Sequence, residues 1–416
     1  MYVKETENVF WVRREAMVSD EIFAAERSAI WDKVWLYVGH ESEVPNNNDF
    51  QTRDVGNRSV ILVRDGEGKI HVHLNVCSHR GAEVCRQRSG NAAAFLCVYH
   101  AWTYRNDGRL SSIPGVDTFP PNYPKEKMGL ARPPRVETYR GFVFLSFNPD
   151  VPPLAEWLGG ACRYLDLVAD QSAVPLQVLP GTHEYGMKAS WKLLVENSAD
   201  GYHGMPVHST YFDHMKRIGD NVSLSTRYKA SNAYDLGNGH AISVRVTPMS
   251  RAVARWSPSM PEELKPAIEA RYAGLVERLG AEYADEVANT DFNLVIFPNL
   301  IVLNAMGVVL RTFTPTAPDR LRVTSWMLAP ADLSEAESHS MIDQSLAFFG
   351  PGGMATPDDA DILESVQRGL RSWREAPWSD ISKGLTKDQP DSRDELQMRV
   401  FWRRYEQLML AQEPQA

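Results

Sequence analysis

The stretch Val76–Tyr104, "VCSHRGAEVCRQRSGNAAAFLCVYHAWTY", holds three of the chain's four cysteines and two of its eleven histidines. They fall as Cys77-x-His79, seventeen intervening residues, then Cys97-x-x-His100. Each arm offers one sulfur and one nitrogen, so two loops can embrace a metal centre from either side. Thiolates with imidazoles suit zinc, or an iron–sulfur centre in which two imidazoles replace two thiolates on one iron. The Cys-x-His arm is tighter than a zinc knuckle usually is. In a two-iron cluster, one iron would take Cys77 and Cys97, the other His79 and His100.

The surroundings are β-like. Residues 59–76, "SVILVRDGEGKIHVHLNV", read as two strands about an Asp65-Gly66 turn, and residues 141–147, "GFVFLSF", as another. Residues 37–155 are therefore expected to form a small β-rich metal domain, closed by Pro149, Pro152 and Pro153. Ahead of it, residues 1–36 are expected to form a helical segment that packs on the larger domain of residues 156–416. Their helix would span 18–36, with Asp20 as cap and Ile22, Phe23, Ile30, Trp31 and Val34 near one face. Residues 156–416 mix strand-like runs at 300–313 and 320–330 with amphipathic segments at 261–289 and from about 392. This block reads as a second, larger domain.

Composition narrows the function. Of 416 residues, 44 are basic and 53 acidic, a net charge of −9, which argues against a nucleic-acid surface. The opening "MYVKETENVF" has no secretory pattern, and no apolar run approaches membrane-spanning length. Four cysteines make no disulfide framework, so a reducing cytoplasm is expected.

A second constellation lies in Trp191–His214, "WKLLVENSADGYHGMPVHSTYFDH". On a helix Asp200 and His203 share a face, whereas His203 and His208 would point roughly 140° apart at about 100° per residue. The two histidines converge only if the helix breaks, and Pro206 lies between them. The plain alternative is a helix end with surface histidines. Two histidines and one carboxylate, with open positions for dioxygen, make the mononuclear non-haem iron pattern. The carboxylate is sought in Phe348–Leu370, "FFGPGGMATPDDADILESVQRGL". There Asp359 heads a stripe of Ile362, Leu363, Val366 and Leu370, while Asp358 and Asp361 are rotated off it. A capping role for Asp359 with Thr356 is the alternative.

"CSHRG…CVYHAWTY" resembles the Rieske [2Fe–2S] motif, and "ENSADGYHGMPVH" with the Asp358-Asp359 pair resembles the catalytic α subunit of Rieske non-haem iron ring-hydroxylating oxygenases. The resemblance covers most of the chain. It implies an α+β fold: an N-terminal β-rich Rieske domain and a helix-grip-like antiparallel sheet. It implies a cluster on Cys77, His79, Cys97 and His100, and Fe(II) on His203, His208 and Asp359. Asp200 would link one subunit's cluster to its neighbour's iron. Electrons would come from NAD(P)H through a ferredoxin or reductase, and the assembly would be a homotrimer (α3) or an α3β3 complex with a small β subunit. Cys85 and Cys162 are read as packing residues.

Residues 196–215, "ENSADGYHGMPVHSTYFDHM", resemble the benzoate and p-cumate type more than the phthalate or demethylase type, which implies cis-dihydroxylation of an aromatic carboxylate in aromatic hydrocarbon catabolism. By position, Asn197, Met205, Asp291, Asn293, Leu303, Phe349 and Met354 are expected to line the pocket. Arg217, Arg245, Arg251 and Arg311 are all candidates to meet a carboxylate. The competing readings are a Rieske monooxygenase of the same fold, an electron carrier with no second metal, and a zinc-stabilised binding module.

Overall fold

The strand Arg320–Pro330 pairs on one side with Val308–Ala317 and on the other with both Leu176–Val178 and His183–Met187. From it a computed structural model, describing residues 1–219, 230–246, 254–256 and 258–411, extends one antiparallel sheet. Beyond Val308–Ala317 the order continues through Leu300–Asn304, Thr290–Ile296 and His240–Val246 to Ala230–Gly237. Successive strands are sheet neighbours, joined by local reversals except between His240–Val246 and Thr290–Ile296, whose connection includes the helices Lys265–Leu279 and Ala281–Asn289. Leu300–Asn304 is buried along its whole length, as expected of a central strand covered on both faces.

Helices flank the sheet. Leu396–Leu410 lies against the strands His240–Val246 and Ala230–Gly237 and against the helix Trp191–Ala199. Trp191 stacks on Phe313 of the sheet and meets Phe401 and Tyr405 of the C-terminal helix edge-on or tilted. Beneath Trp191 lies a buried polar knot. Glu26 accepts from Trp191 Nε1 at 2.8 Å and from Tyr405 Oη at 2.6 Å, and pairs with the fully buried Lys192. Removing one charge would strand the other in apolar surroundings, at about 3–5 kcal/mol. This is the α+β, helix-grip-like arrangement expected from the sequence.

Contacts divide the chain into two units, Met1–Ile30 with Ala155–Ala416, and Trp31–Leu154. The first thirty residues differ from the expected helix. They begin with strands Val3–Glu5 and Phe10–Arg13, which form a small sheet with Trp378–Asp380. The helix proper is Asp20–Glu26, and Ser19, not Asp20, caps it by accepting the Ile22 N–H. Ser19 stands one residue outside the helix, in the extended conformation a cap requires. The 261–289 segment is likewise two helices, Lys265–Leu279 and Ala281–Asn289, broken at Gly280.

The Trp31–Leu154 unit is β throughout its core. It contains a four-stranded sheet (Ile70–Leu74, Arg58–Arg64, Asp49–Val55, Ser89–Asn91) and two three-stranded sheets. One of the latter joins Leu36–His40 to the hairpin Arg135–Tyr139 and Phe142–Ser146; the other comprises Ala94–Leu96, Thr103–Arg105 and Leu110–Ser112. Phe50, Ile61, Val63, Phe95, Trp102 and Tyr104 pack with Cys77, Cys85 and Cys97 in one core. Cys85 is buried there, as read from the sequence, whereas Cys162 is half-buried on the helix Ala161–Ala169.

Candidate metal centres

Two matching turns carry the Cys–His arms. The Gly81 N–H returns to the Cys77 carbonyl and the Ala101 N–H to the Cys97 carbonyl, both at 2.9 Å. Both closing residues are left-handed, Gly81 at φ 78° and Ala101 at φ 58°. Glycine takes that conformation without strain, and Ala101 holds it at some cost. The turns place the two cysteines inside and the two histidines half-buried at the surface. His79 and His100 bring their Nδ1 atoms to 3.1 Å, and the His79 ring stacks on Trp102 at 4.8 Å. Tyr104 Oη lies 3.1 Å from Cys77 Sγ and accepts the Ser78 N–H. Burial pushes the Tyr104 hydroxyl well up, so it stays protonated and can donate to the sulfur.

These donors suit a cluster better than a single ion. No three of the four lie within 4.8 Å of one another. Ligands of one tetrahedral zinc, with bonds of about 2.0–2.3 Å, would be spaced by less than about 4 Å. A sulfur pair inside and an imidazole pair outside is the division that a [2Fe–2S] centre with one imidazole-bound iron requires.

The second centre is held by the Trp191–Ala199 helix, the turn after it, and the Thr356–Gly369 helix. The first helix stops at Asp200, which is extended (φ −80°, ψ 113°), and Asp200 Oδ1 accepts the Tyr202 N–H at 2.6 Å. Gly201 then passes against Ser392, with its N–H on the Ser392 carbonyl; a Cβ there would fall 2.4 Å from that oxygen. Short helices Gly204–Val207 and Ser209–Arg217 follow. The break that brings the histidines together is therefore at Asp200–Tyr202 and again at His208. Pro206, expected to cause it, lies inside a helical turn. An early-turn position tolerates proline, since its missing N–H has no helical partner there.

Asp359 Oδ1 lies 3.4 Å from both His203 Nε2 and His208 Nε2. These three form the one compact grouping of three potential metal donors among the described residues. Burial opposes charge on His203, but Asp200 and Asp359 override it and raise its pKa to about 9. At His208 burial prevails instead and lowers the pKa, although Asp359 opposes it. Burial also disfavours charge on Asp359, yet the facing histidines keep its pKa below the usual value. Asn197 Nδ2 donates to Asp359 Oδ1 at 3.2 Å and so holds the carboxylate in place.

The capping alternative for Asp359 is not what forms. Thr356 is already helical and donates to the Phe349 carbonyl, and no side chain caps the helix. The expected apolar stripe is also turned. Thr356, Asp359, Leu363, Gln367 and Leu370 face inward, while Ile362 and Val366 are exposed. Nor does Asp358 turn away from the histidines: its Oδ2 lies 3.7 Å from His208 Nδ1. Consecutive residues on a helix differ by about 100°, so adjacent carboxylates can flank one imidazole from different sides.

A cavity of roughly 170 Å³ opens beside the three donors. Asn197, Met205, Asp291, Asn293, Leu303 and Phe349 line it. Met354, expected with them, is not among the lining residues; it packs with Phe348 and Phe349 on the cluster of Tyr211, Met215, Ala305 and Met306. Phe348, Tyr211 and Ala305 line it as well. Phe348 neighbours the predicted Phe349, and strand alternation from Leu303 would have found Ala305. Ser392 also lines it and carries no sequence signal. Arg245 donates to Asp291 at 2.8 Å and to Asn293 at 3.0 Å. Arg217 is exposed at its helix end, and Arg251 falls outside the described residues.

Comparison with known proteins agrees with both centres. Residues 34–138 match the Rieske [2Fe–2S] domain, and residues 159–411 match the ring-hydroxylating alpha subunit (catalytic domain). The chain is 35% identical over 389 residues to the 2-halobenzoate 1,2-dioxygenase large subunit of Burkholderia cepacia, covering 90% of this chain and 80% of that one. It is 33% identical over 398 residues to the anthranilate 1,2-dioxygenase large subunit of Acinetobacter baylyi, covering 92% and 82%. Its fold superposes on the naphthalene 1,2-dioxygenase of Rhodococcus sp. bound to indole with a TM-score of 0.83, at 28% identity over 97% of this chain and 95% of that one. No helix among the described residues is long and apolar enough to cross a membrane.

Proposed function

Because the chain belongs to the ring-hydroxylating α-subunit family with an N-terminal Rieske domain, we propose that it is the large subunit of a terminal dioxygenase acting on an aromatic carboxylate. The ring would gain both atoms of dioxygen as a cis-diol, with two electrons from NAD(P)H and two protons completing the balance. The observation that carries the reading is the cavity: one compact metal-donor triad opens onto a partly open space walled by Tyr211, Phe212, Leu303, Phe348 and Phe349 on one side and by polar side chains on the other. About 150 Å³ of apolar space accommodates benzene, so roughly 170 Å³ takes one substituted ring. The substrate class is supported by relatives named for halobenzoate, anthranilate and toluate.

In this reading Cys77, His79, Cys97 and His100 hold the [2Fe–2S] cluster, and His203, His208 and Asp359 hold iron. When bound, the cluster supplies single electrons and the iron activates dioxygen. The chain does the rest. Asp200 accepts from His203 Nδ1–H and so fixes the tautomer that leaves Nε2 for the metal. Asn197 keeps Asp359 aimed at the histidines, and Phe348, Phe349 and Leu303 exclude water and confine the ring.

Members of this family work with ferredoxin or reductase donors and in multimers. For this chain we place the finer assembly as a head-to-tail trimer, α3 or α3β3, in the cytoplasm. Exposed Leu96, Val98 and Tyr99 beside His100, and exposed Tyr202 and Met205 beside Asp200, are apolar surfaces that such an interface would cover. The test is turnover of benzoate by the iron-loaded protein with NADH, a reductase and dioxygen. A cis-diol carboxylate formed in step with oxygen consumption is expected. A singly hydroxylated product would replace the dioxygenase reading with the monooxygenase one. Turnover of neutral arenes alone would remove the carboxylate.

A further inference from the structure

Arg311 is the charged side chain that the site does not otherwise explain. It sits on the strand Val308–Ala317, directly across from Ile301 on one neighbouring strand and Ser325 on the other. It is 4% exposed and lines the same cavity as His203, His208 and Asp359. Among the described residues it makes no hydrogen bond or ion pair, and its Nε is buried without a partner. Ser325 Oγ, its cross-strand neighbour, is also buried without a hydrogen bond. His183 stands opposite Ser325 on the next strand; burial lowers its pKa, and the Arg311 charge lowers it further.

A buried guanidinium without a counter-charge costs several kcal/mol and is normally paired. The other charges in the cavity are accounted for. Asp291 has Arg245, Asp359 faces two histidines, and Asp200 is taken by His203 and the Tyr202 N–H. Arg393, which also borders the cavity, is held by Asp391. What is missing is one anion, brought in from outside.

We propose that Arg311 is the residue that binds the substrate's carboxylate. This rests on the aromatic-carboxylate reading above and selects one of the arginines that the sequence left equivalent. A planar guanidinium offers a carboxylate two parallel N–H bonds. Because Arg311 is anchored in the sheet, the carboxylate fixes how the ring lies against the aromatic wall.

The experiment compares benzoate with benzamide, its uncharged counterpart, as ligands of the resting iron-loaded protein, by calorimetry. Wild type should prefer benzoate. Arg311→Gln should weaken benzoate by about tenfold to a hundredfold, as loss of a charged hydrogen bond implies, and leave benzamide unchanged. Arg311→Lys should fall between, because it keeps the charge and loses the fork. Iron content and the Rieske spectrum of each variant report whether it folds. If Arg311→Gln does not fold, the benzoate-to-benzamide ratio of Arg311→Lys decides, and an unchanged ratio overturns the assignment. Equal loss of both ligands, or of neither, overturns it too. Wild type that makes a diol from benzoate while Arg311→Gln keeps its preference would refute the anchor and leave the function standing. Wild type that binds benzoate through Arg311 but oxidises no aromatic carboxylate would do the reverse.

Discussion

Asp200 Oδ2 lies 3.2 Å from His203 Nδ1, while the other nitrogen of the same ring lies 3.4 Å from Asp359 Oδ1. One imidazole therefore joins a half-exposed carboxylate to the metal-donor triad. This chain of contacts separates the role of Asp200 from metal binding itself.

Asp200→Asn keeps the size and a hydrogen bond but loses the charge that makes His203 a better ligand. Both metal centres should remain and the cluster should still be reducible. Turnover, and reoxidation of the reduced cluster by dioxygen with substrate present, should slow by about a hundredfold. Co-assembled Cys97→Ala and His208→Ala subunits should recover activity that neither has alone. Mixed assemblies that form but stay inactive would argue against delivery between subunits.

Asp359→Ala, His203→Ala and His208→Ala should each abolish mononuclear iron and leave the Rieske spectrum intact. Asp358→Asn should keep iron but bind it about tenfold to a hundredfold more weakly, since its carboxylate stands 3.7 Å from His208 Nδ1. Chelator competition measures this. Loss of iron from the Asp358 variant and not from the Asp359 variant would exchange the two assignments.

Tyr104→Phe should retain the cluster and lower its reduction potential, because a hydrogen bond to Cys77 sulfur disappears. His100→Cys should lower it further, as thiolate donates more charge than imidazole. Redox titration of the visible spectrum checks both; an unchanged potential in Tyr104→Phe would mean that the hydroxyl does not face the bound sulfur.

Burial raises the Glu196 carboxyl from its ordinary 4.5 to about 7, against the opposing hydrogen bond from Trp402 Nε1 at 2.5 Å. Between these values the folded protein holds a proton that the unfolded chain releases. The cost to stability is absent below about pH 4.5, grows as pH rises towards 7 and is constant above it. Glu196→Gln should remove that decline and exceed wild type at pH 8 by up to about 3 kcal/mol. Urea midpoints from pH 5 to 8 test this, and parallel curves for the two proteins would show that Glu196 is ionised throughout.

The two metal motifs were legible in the sequence because metal ligation is a matter of donor type and short spacing. Cys77, His79, Cys97 and His100 each sit on a tight turn that their neighbours build, and the alternation of the strands likewise showed in local pattern. What the sequence could not decide was anything set by distant partners. The break at Asp200 depends on Gly201 meeting Ser392, nearly two hundred residues on. Helical phase put Asp359 on an apolar stripe, but whether Ile362 and Val366 are covered depends on what packs beside that helix, and in this chain they are exposed. Of the four arginines that were equivalent candidates for a carboxylate, strand register separates two: it gives Arg245 to Asp291 and, among the described residues, leaves Arg311 buried without an anion. Charge pairing across a sheet is a long-range property, fixed when the strands find their register and not before.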